Sequence, residues 1–200
     1  SSQLAKHGSI YINDAFGTAH RNHASNSGIT KHFATKGMGL LIEQEMKFLS
    51  DKLSNPSKPL TLIIGGSKID TKIGVIENFL GLADNIIIGG AMANTFLLAM
   101  NHRIGISLAE KEKMNVAKNL LKKASKRGTK IILPIDFSGE LETFGSGDIC
   151  VADAKDIPNN MICEDIGEKS IKLFSDIISL SKTILWNGTL GVAENPNFAV

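Results

Sequence analysis

Apolar and polar positions fall into alternating blocks along this chain. Residues 60–64 (Leu-Thr-Leu-Ile-Ile) form a short apolar run with a β-branched bias, bounded by Pro59 and by Gly65-Gly66. That is the pattern of a buried strand. Related runs stand at 85–88 before Gly89-Gly90, at 130–133 before Pro134, and at 183–186 before Asn187-Gly188. Shorter candidates lie at 9–13 and 149–152. Between these runs the apolar residues recur at helical spacing, which predicts helices over 37–54, 69–80, 92–100, 109–126 and 168–181. In the fourth, Met114, Ala117, Leu121 and Ala124 are in register with lysines opposite, and Gly128 stops it. In the first, Met38, Ile42, Met46, Leu49 and Leu53 make one stripe, and Leu41 and Phe48 a second. A helix apolar on two faces is packed from both sides, either inside one core or wedged between two domains. The polar, glycine-bearing stretch 137–147 reads as a hairpin or loop.

Strands that alternate with helices need crossover connections. The expected fold is therefore α/β: a parallel sheet with helices on both faces, three-layered and Rossmann-like. In such sheets ligands sit beyond the carboxyl ends of the strands. Three predicted strand ends carry glycine: Gly65-Gly66, Gly89-Gly90 and Gly188. Either these make tight strand-to-helix turns or they line a nucleotide pocket with backbone. After the first pair, Ser67 is positioned to cap a helix whose first turns carry Lys68 and Lys72, four apart on one face. Cations at a helix N-terminus are unfavourable by about 0.3–1 kcal/mol each. A bound phosphate would compensate them; otherwise both lysines are solvated and offset by Asp70. The spacing is not that of a P-loop, and no Gly-x-Gly-x-x-Gly follows the strand.

Composition narrows the reading further. The chain has 200 residues, 42% hydrophobic and 21% charged, which suits one globular domain, or one domain and a piece of another. A net charge of +2 implies no general attraction to nucleic acid or to an acidic membrane. Cys150 and Cys163 lack metal-type spacing and read as free buried thiols in a reducing compartment. No apolar run is long enough to span a bilayer and no signal peptide is visible, so a cytoplasmic location is expected. Within the polar loop that follows residue 13, Arg21 is the sharpest element, because a guanidinium fork suits phosphate or carboxylate. His20 and His23 form either a weak metal pair or a locally hydrogen-bonded one. The chain starts at Ser1 and stops at Val200, and both ends read as cut from something longer.

Four stretches together resemble the phosphoglycerate kinase family. They are Tyr-Ile-Asn-Asp-Ala-Phe-Gly-Thr-Ala-His-Arg (11–21), Ile-Gly-Gly-Ser-Lys-Ile-Asp-Thr-Lys (64–72), Ile-Gly-Gly-Ala-Met-Ala-Asn-Thr-Phe (88–96) and Leu-Trp-Asn-Gly-Thr-Leu-Gly-Val-Ala-Glu (185–194). The resemblance covers the whole chain. It implies reversible phosphoryl transfer in glycolysis from 1,3-bisphosphoglycerate to ADP, with Mg2+, giving 3-phosphoglycerate and ATP. It implies two α/β domains that close about a linking helix. Residues 1–36 would end the substrate domain, 37–55 would link, and 56–200 would form most of the nucleotide domain.

Carried over by position, Arg21 matches an arginine that binds the substrate phosphate. Lys68 and Lys72 match lysines on the nucleotide phosphates and the moving group, with Gly66 and Ser67 beside them. Gly90 and Ala91 match backbone positions against adenine, although the family usually has a second glycine at 91. Asn187 and Glu194 match residues near the phosphates and the ribose. Thr189, Ala193 and Cys163-Glu164 depart from the usual proline, phenylalanine and Gly-Leu, which alters the expected shape of the pocket. The family's other substrate-binding arginines and its late Gly-Gly-Asp loop, which helps hold magnesium, are not among these residues. The expectations are therefore no metal ligands in this stretch, a whole protein that is a monomer, and a 200-residue chain that is inactive alone. The rival readings are a non-catalytic nucleotide-binding module and a structural α/β domain.

Overall fold

The computed structural model describes residues 1–142 and 149–198. The chain divides into two compact units, Ser1–Pro56 and Ser57–Val200. The first contains α1 (Ser2–Ala5), β1 (Ile10–Asn13), β2 (Thr35–Met38), α2 (Leu40–Met46), a π-helical turn over Lys47–Asp51, and α3 (Lys52–Ser54). β1 and β2 pair in parallel.

The single helix expected over 37–54 is thus shorter and interrupted. Gly37 and Met38 are drawn into the ladder with β1. The Asp14 carboxylate then accepts the Ile42 N–H at 3.0 Å and the Asn13 carbonyl accepts the Gly39 N–H at 2.8 Å, which fixes the helix start after Gly39. Ile42 is buried, but Met38, Met46 and Leu49 of the same stripe are exposed, as are Leu41 and Phe48 of the second, so neither stripe is covered along its length.

The second unit begins with β3 (Leu60–Ile64), α4 (Ile73–Phe79), β4 (Asn85–Ile88), α5 (Ala91–Ala99), α6 (Met114–Arg127) and β5 (Lys130–Ile132). It continues with β6 (Asp136–Leu141), β7 (Ile149–Asp153), β8 (Met161–Ile166), α7 (Glu168–Leu180) and β9 (Thr183–Asn187). Its main sheet has the order β5-β4-β3-β9, and every pairing is parallel. β3 lies at the centre and is buried along its whole length, as a strand covered on both faces must be. Leu60, Leu62, Ile64, Ile86 and Ile88 face Ile76, Phe96, Ala117 and Leu120 of α4, α5 and α6. Ile63 and Ile87 face Phe174 of α7 on the other side. The three-layer arrangement is the one the sequence pattern predicts.

A second sheet, β7-β6-β8, is antiparallel and departs from the expected all-parallel arrangement. It arises because β6 continues directly from the end of β5 through Pro134, with no helix between them to return the chain. Residues 137–141 of the expected hairpin or loop belong to β6, and 143–147 lie outside the described residues. The Asp136 carboxylate, almost fully buried, joins this sheet to α7: it accepts the Lys169 N–H at 3.0 Å and the Ser170 N–H at 2.8 Å, capping the helix. No helix among the described residues is long and apolar enough to cross a membrane.

Candidate functional site

Because β4, β3 and β9 are adjacent and parallel, the loops at their carboxyl ends emerge side by side. Backbone bonds stitch them together. The Gly65 N–H donates to the Asn187 carbonyl at 3.0 Å, the Gly90 N–H to the Leu190 carbonyl at 2.7 Å, and the Met92 N–H to the Gly66 carbonyl at 3.0 Å. The approach is too close for side chains. A Cβ at Gly65 would stand 1.8 Å from the Thr189 carbonyl oxygen. One at Gly90, whose φ is +64°, would stand 2.7 Å from the Gly66 amide. The three glycine-bearing ends therefore form one backbone platform.

Onto this platform the structure brings Lys72 and Asn187. The Lys72 ammonium donates a hydrogen bond to the Asn187 side-chain oxygen across the β3–β9 boundary. Gly66 and Ser67 lead into the same loop, and Ser67 and Lys68 are exposed. The Lys68 ammonium has no hydrogen-bond partner among the described residues. Ala91 opens α5 directly after Gly90, and Glu194 is exposed on the turn that follows Val192.

One expectation is corrected here. Lys68 and Lys72 do not share a helix face, and Ser67 caps nothing, because α4 starts only at Ile73 with Lys72 as its N-cap. Residues 68–72 instead turn around Ile69, whose side chain is fully buried and whose carbonyl accepts both the Lys72 and Ile73 amides, at 2.8 and 2.9 Å. The Ile69 amide is taken by the Glu110 carboxylate, and α4 follows only from Ile73. Lys68 stays in the loop and Lys72 stands at the helix start, so both remain at the sheet's carboxyl edge.

Arg21 lies in the first unit, exposed after a short 3-10 turn at Phe16–Thr18, and its guanidinium has no hydrogen-bond partner among the described residues. Among the described residues no three His, Cys, Asp or Glu side chains are grouped to hold a metal ion, and the His20–His23 pair gains no third ligand. Cys150 and Cys163 flank Gly139 from the two sides of β6. Burial pushes the Cys163 thiol up to about 11 and raises Cys150 as well, so both are poor nucleophiles.

The sequence reading misses Glu110, and it singles out Glu164 without its burial. The Glu110 carboxylate joins this site's scaffold by accepting the Ile69 N–H at 2.5 Å. Glu164, 4% exposed on β8, sits beside the buried Glu140; burial first, then Glu140, raises its pKa. The only local trace of Glu164 is an acid inside an apolar stretch, and Glu110 leaves none. Chemically, the platform offers two ammonium groups, an amide and close backbone. Such a set can hold and neutralise phosphates.

A family model described as phosphoglycerate kinase matches residues 1–200. The phosphoglycerate kinase of Finegoldia magna is 45% identical over 199 residues, covering all of this chain and 50% of that protein. The phosphoglycerate kinase of Lactobacillus acidophilus is 48% identical over 202 residues, covering 96% of this chain and 48% of its own. A solved structure of phosphoglycerate kinase from Coxiella burnetii superposes with a TM-score of 0.87 at 34% identity, over 98% of this chain and 51% of that one. The chain thus spans about half the length of the relatives it matches.

Proposed function

The chain belongs to the phosphoglycerate kinase family, and from that premise we propose that it carries the nucleotide side of a reversible phosphoryl transfer from 1,3-bisphosphoglycerate to ADP. The observation that carries the reading is the bond between Lys72 and Asn187 over a platform made by three glycine-bearing strand ends. Lys68 and Lys72 take the nucleotide phosphates, with Gly66 and Ser67 beside them. Gly90 and Ala91 lie against the base, and Glu194 lies near the ribose. Arg21 takes the phosphate of the phosphoglycerate. Residues 1–36 end the substrate-side domain, 37–55 link, and 56–200 belong to the nucleotide domain.

The chemistry asks little of the side chains. The attacking oxygen on the ADP β-phosphate is already anionic, so no base removes a proton. Its bond to phosphorus forms as the acyl C–O–P bond breaks at the P–O link and the 3-phosphoglycerate carboxylate leaves. Throughout, the moving group spreads negative charge, which positioned cations stabilise. Asn187 keeps Lys72 aimed at that group. Magnesium, which the family resemblance implies, is not supplied with a site by Ser67, Lys68, Lys72 and Asn187: this set has no carboxylate to ligate it. Within this chain, Lys68 and Lys72 are the cations that meet the phosphate charge.

The test is a titration with ADP, read by the fluorescence of Trp186, the single tryptophan and the neighbour of Asn187. Lys72→Met should weaken ADP binding by about 1.5–3 kcal/mol, the usual worth of a charge-assisted hydrogen bond. ADP affinity unchanged in that variant would remove Lys72 from the site.

A further inference from the structure

Glu110 has no role in the reading above, yet it is bonded into the lysine loop. Its carboxylate accepts the Ile69 N–H at 2.5 Å. Its own N–H donates to Thr95 Oγ1 at 3.0 Å, and Thr95 is fully buried on α5, the helix that follows Gly90. Three residues on, Lys113 pairs with Asp70 at 2.7 Å. Residues 110–113 therefore grip the loop at two successive positions and are anchored to the helix behind it.

Ile69 is consequently pinned on every side. Its side chain is in the core, its carbonyl holds two amides of the turn, and its N–H belongs to Glu110. The peptide unit that joins Lys68 to Ile69 is planar, so fixing the Ile69 N–H also fixes the Lys68 carbonyl and places the Lys68 Cα from which its side chain departs. Water or a neutral side chain would satisfy a lone amide. A carboxylate at that place repels incoming phosphates, and what it adds in return is a shorter and stiffer charge-assisted bond.

We propose that Glu110 is a positioning residue: by holding the Lys68–Ile69 peptide it makes the Lys68 and Lys72 ammonium groups converge on the same phosphates. This rests on the nucleotide reading. It places the loop's rigidity in the contacts of residues 110–113 with Ile69 and Asp70, and it couples that rigidity to α5, against which the base is proposed to lie.

The experiment compares ADP with adenosine, which lacks phosphates, on the wild type and on Glu110→Gln, Glu110→Asp and Glu110→Ala, with a urea unfolding curve for each. Gln keeps the reach and an acceptor oxygen but loses the charge. Asp keeps the charge but is one methylene too short. Asp and Ala should weaken ADP binding about tenfold, the loss expected when a charged hydrogen bond is misaimed, and leave adenosine unchanged. Gln, which keeps the acceptor but loses the charge-assisted bond, should fall between wild type and Asp. In the Asp variant the Ile69 amide should lose its protection against hydrogen exchange. Should Glu110→Ala fail to fold, the Asp and Gln pair still decides. Wild-type ADP affinity in Glu110→Asp, or equal losses for ADP and adenosine, would overturn the proposal. A wild type that binds ADP makes this a test of Glu110; one that binds neither ligand overturns the nucleotide reading itself, and this proposal with it.

Discussion

Replacing Glu164 with leucine should make this protein more stable, and the gain should depend on pH. Glu164 is 4% exposed on β8, and neither of its carboxylate oxygens has a hydrogen-bond partner among the described residues. Burial raises its pKa above the ordinary 4.5, and the neighbouring Glu140 raises it further. Burying a polar group without a partner costs about 1–3 kcal/mol in protein mutational series, and a charged one more. Leucine is of similar volume, leaves no polar atom behind, and adds apolar burial. The expected gain at pH 7 is about 1–3 kcal/mol, or a midpoint higher by roughly 2–12 °C for a chain of this size. The sign of the pH dependence follows from the raised pKa. The wild type loses stability as pH rises from 4.5 through the raised value, since the folded state must then ionise a group that burial opposes. The leucine variant has no such loss, so its advantage should widen between pH 4 and pH 7. Urea unfolding of both proteins at pH 4, 5.5 and 7 measures this directly. Equal midpoints at pH 7, or an advantage that shrinks as pH rises, would show that the carboxylate is satisfied in solution and that the reasoning is wrong.

Asp84 should behave in the opposite sense. Burial raises its pKa, but the Leu60 N–H at 2.7 Å and the Lys58 ammonium at 3.2 Å outweigh it and leave the carboxyl below its ordinary 3.8. Asp84→Asn should therefore cost about 0.5–1 kcal/mol at pH 7, a modest figure because the pair is half exposed, and the cost should fade as pH falls below 3.8 and Asp84 protonates; a cost constant down to pH 2.5 in acid-series urea titrations counts against it. Gly90→Ala forces a Cβ to within 2.7 Å of Gly66 at a φ of +64°, so it should cost about 1–3 kcal/mol of stability and abolish most ADP binding in calorimetry; wild-type affinity would mean the platform is not where nucleotide sits. Cys163, pushed up to about 11 by burial, should alkylate with iodoacetamide far more slowly at pH 8 than a free thiol, whose pKa is about 8.5, and its rate should climb about tenfold per pH unit; mass-spectrometric labelling at free-thiol speed would contradict its burial.

What could be read from the sequence follows the range of the forces involved. β3, β4, β5 and β9 announce themselves because a parallel strand flanked by helices writes a continuous apolar run, and the glycines that end three of them are demanded by backbone contacts a few ångströms away. β8 stays hidden because its run Met-Ile-Cys-Glu-Asp-Ile mixes a buried acid with a core thiol, and a bulge between Ser138 and Gly139 breaks the register of its partner. α4 starts four residues later than the periodicity predicts for a different reason: periodicity places Ile69 correctly on an apolar face, but cannot tell a helical residue from one that anchors a turn. That distinction was made at Glu110, which lies 41 positions downstream and contributes a single oxygen. Asn187, which receives Lys72, lies 115 positions away. Local spacing thus marks the residues that bear charge, while the contacts that aim the charge arise only when the sheet brings distant segments together. It follows that a variant can keep every motif residue of this site and still lose ADP, if it alters only the side chains that hold the lysine loop in place.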